Sequence, residues 1–384
     1  MFPKKLQRKL DNRKVDNAFR ELGTPSNLVD FSSNDYLGFS KSENIFKIAH
    51  LFLVENNIKQ NGATGSRLLS GNHNLYHLVE TELCRFHNSK AALIFNSGYD
   101  ANIGFFSSVP QRGDIIFYDE LIHASIRDGI SMSHAKSYKF KHNDLEELER
   151  KCQVERNRSP LETNIYIVTE SVFSMDGDSP NLTKLSELCE KHQAYLVVDE
   201  AHSVGVFDNN RAGLIQQLKL EHDVFARIIT FGKALGCHGA AILGDESLKQ
   251  FLVNFSRSFI YTTALPPHSL ATMYSAYKEL SKTKKISKLQ ENIIFFKVEI
   301  AHKNLKNLFI ESNSAIHCCI ISGNEYVKTI AKKIQEKGFD VKPILSPTVP
   351  KGQERLRFCL HAFNSKKEIS EVLQLLANFA VKFE

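Results

Sequence analysis

The chain has 384 residues, 42% hydrophobic and 24% charged, with a formal net charge of +6, enough for a full core and two or three domains. No apolar stretch is long enough to span a bilayer, and the opening MFPKKLQRKLDNRK lacks the apolar core of a secretory signal. Seven cysteines without a CxxC pair exclude a disulfide framework, and the basic residues near the N-terminus and around Lys282–Lys288 have no aromatic platform for nucleic acid, so a soluble cytoplasmic protein without membrane or nucleic-acid partners is expected.

A basic N-terminal helix is predicted to run through DNAFREL, and a second helix from Asn74 carries Leu75, Leu78, Val79, Leu83 and Phe86 at helical spacing. Short apolar runs then alternate with helical segments: AALIF (91–95), DIIFY (114–118), NIYIVTE (164–170), AYLVVDE (194–200), RIIT (227–230) and GAAIL (239–243). One intervening helix places Leu182, Leu185, Leu188 and Cys189 on a single face. Fully apolar strands separated by helices predict an α/β fold, with a mostly parallel central sheet covered by helices on both faces. After Pro266-Pro267 the pattern changes to Lys-rich helical sequence, then AIHCCIIS, FDVKPILSPTV and RLRFCL, and a closing helix over Glu368–Phe383. The expected division is an N-terminal segment (1–45), a large domain (46–275) and a smaller α+β C-terminal domain (276–384).

In such a sheet the ligand site lies just beyond the C-terminal strand ends. AALIF is followed there by NSGY, a glycine turn opening a helix, whose backbone N–H groups suit a phosphate. DIIFY is followed by His123, AYLVV by Asp199 of DEAH, and RIIT by Lys233 of FGKALG. Each alone reads as an ordinary turn, a structural histidine or a surface lysine. DEAH also occurs in helicases, but no GxxxxGK[ST] phosphate loop exists, and Gly232-Lys233 is followed by alanine. Together the residues suit a different chemistry. A lysine that attacks an aldehyde must be neutral in a partly desolvated site. A pyridinium ring that stores carbanion electrons needs a carboxylate such as Asp199 on its nitrogen. A flat ring such as His123 can stack on that cofactor. No metal is expected.

The residues FSSNDYLG (31–38), GATGSRLLSGN (62–72), NSGY (96–99), ESVFSMDGD (170–178), VVDEAHSVG (197–205), TFGKALG (230–236), YTTALPP (261–267) and ERLRF (354–358) resemble, in this order, the α-oxoamine synthase family of fold-type I pyridoxal 5'-phosphate enzymes. That resemblance covers nearly the whole chain. It implies that Lys233 holds the cofactor covalently and moves the substrate Cα proton, that His123 stacks on the ring and that Asp199 pairs with its nitrogen. His202 and Ser174 would contact the ring oxygen region. Thr230 and the backbone at Gly98 and Tyr99 would take the phosphate, completed by Thr262 from the second subunit of a homodimer. Asn34 and Arg357 would hold the substrate, Arg357 gripping its carboxylate with two hydrogen bonds, although alternation puts Arg355 on the same strand face. Arg20, taken as part of the N-terminal helix, matches an arginine that meets a distal acyl carboxylate, but the following segment GTPSNLVD is short for the family. FSSNDYLG and GKALGCHGAA are most similar to the biotin-pathway branch, which condenses L-alanine with a pimeloyl thioester of CoA or a carrier protein. Glycine- and serine-using siblings, and a binding module without chemistry, are the alternatives.

Overall fold

The computed structural model describes residues 2–23, 27–158, 162–208 and 210–380. The strands, in chain order, are β1 (Val29–Asp30), β2 (Ala91–Phe95), β3 (Ile115–Asp119), β4 (Lys136–Phe140), β5 (Ile165–Glu170) and β6 (Tyr195–Asp199). They continue with β7 (Ala226–Thr230), β8 (Ala240–Gly244), β9 (Ile316–Ile320), β10 (Phe339–Asp340), β11 (Lys342–Ile344) and β12 (Arg355–Cys359). The chain divides into two compact units, one formed by Leu37–Phe173 and Ser179–Ile286, the other by Met1–Tyr36, Ser174–Asp178 and Ser287–Glu384.

The first of these units holds a seven-stranded sheet in the order β2-β8-β7-β6-β5-β3-β4. From β7 to β4 the strands run parallel, while β8 lies antiparallel between β2 and β7. The mostly parallel sheet expected from the apolar runs is therefore present. Helices flank it, so strands such as β2 and β5 are buried along their whole length. Leu93, Ile116, Val168, Val197 and Ile228 belong to one continuous core cluster, where each fully buried side chain contributes about 1.5–3 kcal/mol of transfer energy. The Leu182–Lys191 helix buries the four residues assigned to its inner face. β4 escaped the sequence reading because KSYKF is an edge strand. Its first four residues are exposed, and Lys136 and Lys139 discourage pairing with another edge.

The second unit contains an antiparallel sheet, β11-β12-β9, with Arg357 opposite Cys318. Within it β1 also pairs in parallel with β10. The closing helix spans Lys366–Ala380, and residues 381–383 of the expected helix lie outside the described residues. The N-terminal helix ends at Val15, earlier than expected. Asn17 adopts a left-handed conformation (φ 51°), and Asn17 N–H and Ala18 N–H bond back to Lys14 and Arg13 carbonyls. This C-terminal cap satisfies the last carbonyls and turns the chain away, so Arg20 does not lie on the helix. Part of GTPSNLVD, residues 24–26, lies outside the described residues. All seven cysteines are free thiols, and Cys318 and Cys319 are buried in β9. Among the described residues no helix is long and apolar enough to cross a membrane.

Candidate active site

Three adjacent parallel strands end on polar residues: β5 on Glu170, β6 on Asp199 and β7 on Thr230. Beyond them opens a cavity of about 240 Å³, within the unit that carries the large sheet. Gly98, Tyr99, His123, Asp199, His202, Thr230 and Lys233 all line it, as do Ser97, Asn102, Ser125, Glu170 and His238.

The helix Gly98–Ser108 starts directly after β2, capped by Ser97, whose hydroxyl oxygen accepts from Asp100 N–H at 3.1 Å. The N–H groups of Gly98 and Tyr99 precede the first intrahelical bonds and keep their donor capacity for a ligand. A Cβ on Gly98 would stand 2.6 Å from Thr230 Cγ2, so only glycine lets this helix start approach the end of β7 so closely. Thr230 Oγ1 is buried without a hydrogen-bond partner. An unsatisfied hydroxyl beside free helix-terminal N–H groups is the donor set that a phosphate would complete.

Asp199 is held as an acceptor on both oxygens. Ala201 N–H donates to Oδ1 at 2.9 Å and Asn102 Nδ2 to Oδ2 at 2.9 Å. Its neighbour in DEAH, Glu200, has a different task. It forms a fully buried ion pair with Arg227 at 2.5 Å and also accepts from Ser203 and Ile215 N–H. His123 caps the Ala124–Met132 helix, and its backbone N–H donates to Glu170 Oε1 at 2.5 Å. The imidazole presents surface to the cavity, yet protein closes around it on its other sides. That enclosure, more than the opposing Asp199 charge, holds its pKa below the ordinary value. Lys233 projects from the loop after β7, which is closed by Cys237 N–H to Phe231 O at 2.7 Å and Gly236 N–H to Lys233 O at 2.9 Å. Gly236 takes a positive φ of 60° to complete that turn. Amine, carboxylate, flat imidazole and phosphate donors thus converge, and these residues fit pyridoxal phosphate.

Other expected residues gather in the second unit. Arg357 is buried in β12 and donates from Nε to Ser174 O at 2.7 Å, and from one terminal nitrogen to Asn34 Oδ1 at 2.9 Å. Three separate chain segments therefore bring Asn34, Ser174 and Arg357 together. Arg355 shares that strand face but is tied to Asp176 at 2.5 Å and to Met175 O at 2.9 Å, which separates the two arginines. Arg20 is exposed and donates to Thr348 Oγ1 at 3.3 Å. Thr262 accepts from Asn96 Nδ2 at 3.0 Å and is not among the cavity-lining residues. Sequence reasoning missed Glu170, Asn102 and Ser125. The strand-end rule reaches Glu170, and Asn102 lies one helical turn beyond Gly98, whereas Ser125 gives no signal of its own.

The family description "Aminotransferase class I and II" matches residues 26–376. An 8-amino-7-oxononanoate synthase of Emericella nidulans is 39% identical over 379 residues, covering 94% of this chain and 91% of that one. The crystal structure of 8-amino-7-oxononanoate synthase from Francisella tularensis superposes with a TM-score of 0.78 at 30% identity, covering 93% of this chain and 98% of that one. A structure of SPT with PLP gives a TM-score of 0.84 at 27% identity, covering 92% and 88%.

Proposed function

Because this chain belongs to the aminotransferase class I and II family, we propose that it condenses L-alanine with a pimeloyl thioester, releasing carbon dioxide and giving 8-amino-7-oxononanoate for biotin synthesis. It is a pyridoxal phosphate-dependent, acyl-transferring enzyme of fold type I. The observation that supports the substrates is its 39% identity, along nearly its whole length, to a synthase of that name.

When bound, pyridoxal phosphate supplies an aldehyde that captures amines and a protonated ring that takes up electrons when a bond to the substrate Cα breaks. Lys233 would hold it covalently, and its amine would carry the substrate Cα proton. Asp199 would pair with the ring nitrogen and keep it protonated. His123 would stack on the ring, and His202 and Ser174 would meet its oxygen side. Thr230 Oγ1 and the N–H groups of Gly98 and Tyr99 take the phosphate. Arg357, with Asn34, would grip the amino acid carboxylate. Arg20 receives the distal carboxylate of the acyl chain.

A homodimer in which Thr262 reaches the other subunit's phosphate fits the exposed apolar residues of the same unit, including Phe46, Leu69 and the neighbouring Tyr261, which is 73% exposed. The seven free thiols fit a reducing cytoplasm. The test is to supply alanine, glycine or serine with pimeloyl-CoA, pimeloyl carrier protein, acetyl-CoA or palmitoyl-CoA, following thiol release and product mass. Release only with alanine and a pimeloyl thioester is expected. The likeness to SPT, at a TM-score of 0.84, favours one second reading, a serine- or glycine-using sibling. Release with serine and palmitoyl-CoA, or with glycine and acetyl-CoA, would establish that reading instead.

A further inference from the structure

Asn102 is 2% exposed and Ser125 is 1% exposed, and both stand between the two groups assigned to the cofactor ring. Asn102 Nδ2 donates to Asp199 Oδ2 at 2.9 Å and to Ser125 Oγ at 3.0 Å. Ser125 Oγ in turn lies 2.7 Å from His123 Nδ1, which also accepts from Ser125 N–H at 3.2 Å. Asn102 Oδ1 is buried and has no partner.

The direction of this chain of bonds starts from one fact. An ionised carboxylate only accepts, so the Asn102 amide must turn its NH2 group toward Asp199. One amide hydrogen goes to the carboxylate and the other to Ser125 Oγ. The serine oxygen could accept twice, but Ser125 N–H also points at His123 Nδ1 and leaves that nitrogen the acceptor role, so the hydroxyl directs its own hydrogen there. A ring nitrogen that accepts from both the hydroxyl and the backbone N–H carries no hydrogen itself. The unmatched Asn102 Oδ1 is the cost of this orientation, because the flipped amide would set its oxygen against Asp199.

We infer that Asn102 and Ser125 are positioning residues that transmit the ionised state of Asp199 to His123 and fix the imidazole as the tautomer with its hydrogen on Nε2. The inference rests on the cavity being the cofactor site. There, the ring-nitrogen partner and the stacking imidazole become one hydrogen-bonded unit rather than two independent contacts. Neither residue needs to touch the reacting atoms to do this.

The sharpest test reverses the relay. In Asn102→Asp the oxygen facing Ser125 can only accept, whichever of the two neighbouring carboxyls holds a proton between them. The serine hydroxyl then turns toward residue 102 and accepts from the ring instead. Uniform ¹⁵N labelling of the fifteen histidines, with His123→Gln to assign the ring, reads the tautomer directly by NMR. The wild type is expected to carry its hydrogen on Nε2. In Asn102→Asp the Nδ1–H form should appear, and Ser125→Ala should abolish that response while Ser125→Thr preserves it. Pyridoxal phosphate binding, followed by absorbance on the same samples, should weaken about tenfold in Asn102→Asp, because a like charge beside Asp199 raises its proton affinity. A wild-type ring with hydrogen on Nδ1, or a tautomer unmoved in Asn102→Asp, overturns the inference whatever the cofactor affinity. If Asn102→Asp does not fold, the wild-type ring decides. A wild type that binds no pyridoxal phosphate would instead remove the cofactor reading and leave the tautomer measurement intact.

Discussion

In the large sheet Glu170, Asp199 and Thr230 are the last residues of β5, β6 and β7, whereas in the small sheet Arg355 and Arg357 sit within β12 itself. A parallel strand flanked by helices has no face on which a charge can be solvated, so the groups that meet the cavity lie at its end, and Arg227 within β7 is tolerated only through its buried ion pair with Glu200. An antiparallel strand in a small sheet can dedicate one face to polar groups. Leu356 and Phe358 are wholly buried and alternate with the arginines, which reach the 174–178 segment. The price of that placement is complete pairing, since a guanidinium buried in mid-strand has no water to fall back on. End-on groups tolerate exchange of partners during a reaction, and mid-strand groups hold a ligand rigidly.

Four substitutions test this contrast. Lys233→Ala should have the largest effect, lowering turnover by roughly 10³-fold or more through loss of both the covalent anchor and the proton carrier. Borohydride treatment with pyridoxal phosphate should add cofactor mass to the wild type alone, and circular dichroism on the same samples checks that the variant is folded. Arg355→Ala should act the other way, on stability. It strands Asp176 in a buried site and should cost about 3–5 kcal/mol in urea unfolding, and the further change Asp176→Asn should recover much of that loss.

Arg357→Lys keeps the charge but loses the planar fork. It should raise the amino acid KM by about 10-fold or more and also lower Tm, because Ser174 O and Asn34 Oδ1 lose their guanidinium donors, and steady-state kinetics and calorimetry follow the two effects. The last effect is on pH dependence, at His317 in β9, whose burial pushes its pKa down to about 3. Between the unfolded value near 6.5 and about 3, the unfolded chain binds a proton that the folded chain does not. Stability therefore rises with pH through this window and is lost as the solution is acidified. His317→Phe should remove that slope, which is worth about 2 kcal/mol between pH 7.5 and pH 5. Parallel urea titrations at those two pH values would measure it.

Much of the large sheet was legible because burial on both faces writes itself as unbroken apolar runs. β4 was not, since an exposed edge strand carrying Lys136 and Lys139 has the composition of a loop. Nor did the runs give direction: GAAIL looks like its neighbours, yet β8 runs against them. Lys233, Asp199 and His123 stood out because charged or aromatic groups after apolar strands are chemically conspicuous, and the strand-end rule that found them covers Glu170 equally well. Asn102 and Ser125 did not stand out, because a helical asparagine or serine acquires meaning only from what it faces. Arg20 was misplaced on a helix because composition favours helix through residue 22, while the left-handed turn at Asn17 depends on the cap geometry.

The antiparallel β8 also sets a timetable for biosynthesis. Among the described residues β2 is an outer strand whose sole ladder partner in the sheet is β8, about 150 residues further along the chain. At a ribosomal rate of 5–20 residues per second, AALIF waits roughly 7–30 s after its own synthesis before that partner exists. Until then the nascent chain presents an unpaired apolar strand, with the helix that begins at Gly98 already trailing from it. This five-residue segment is a long-lived apolar target for a nascent-chain chaperone.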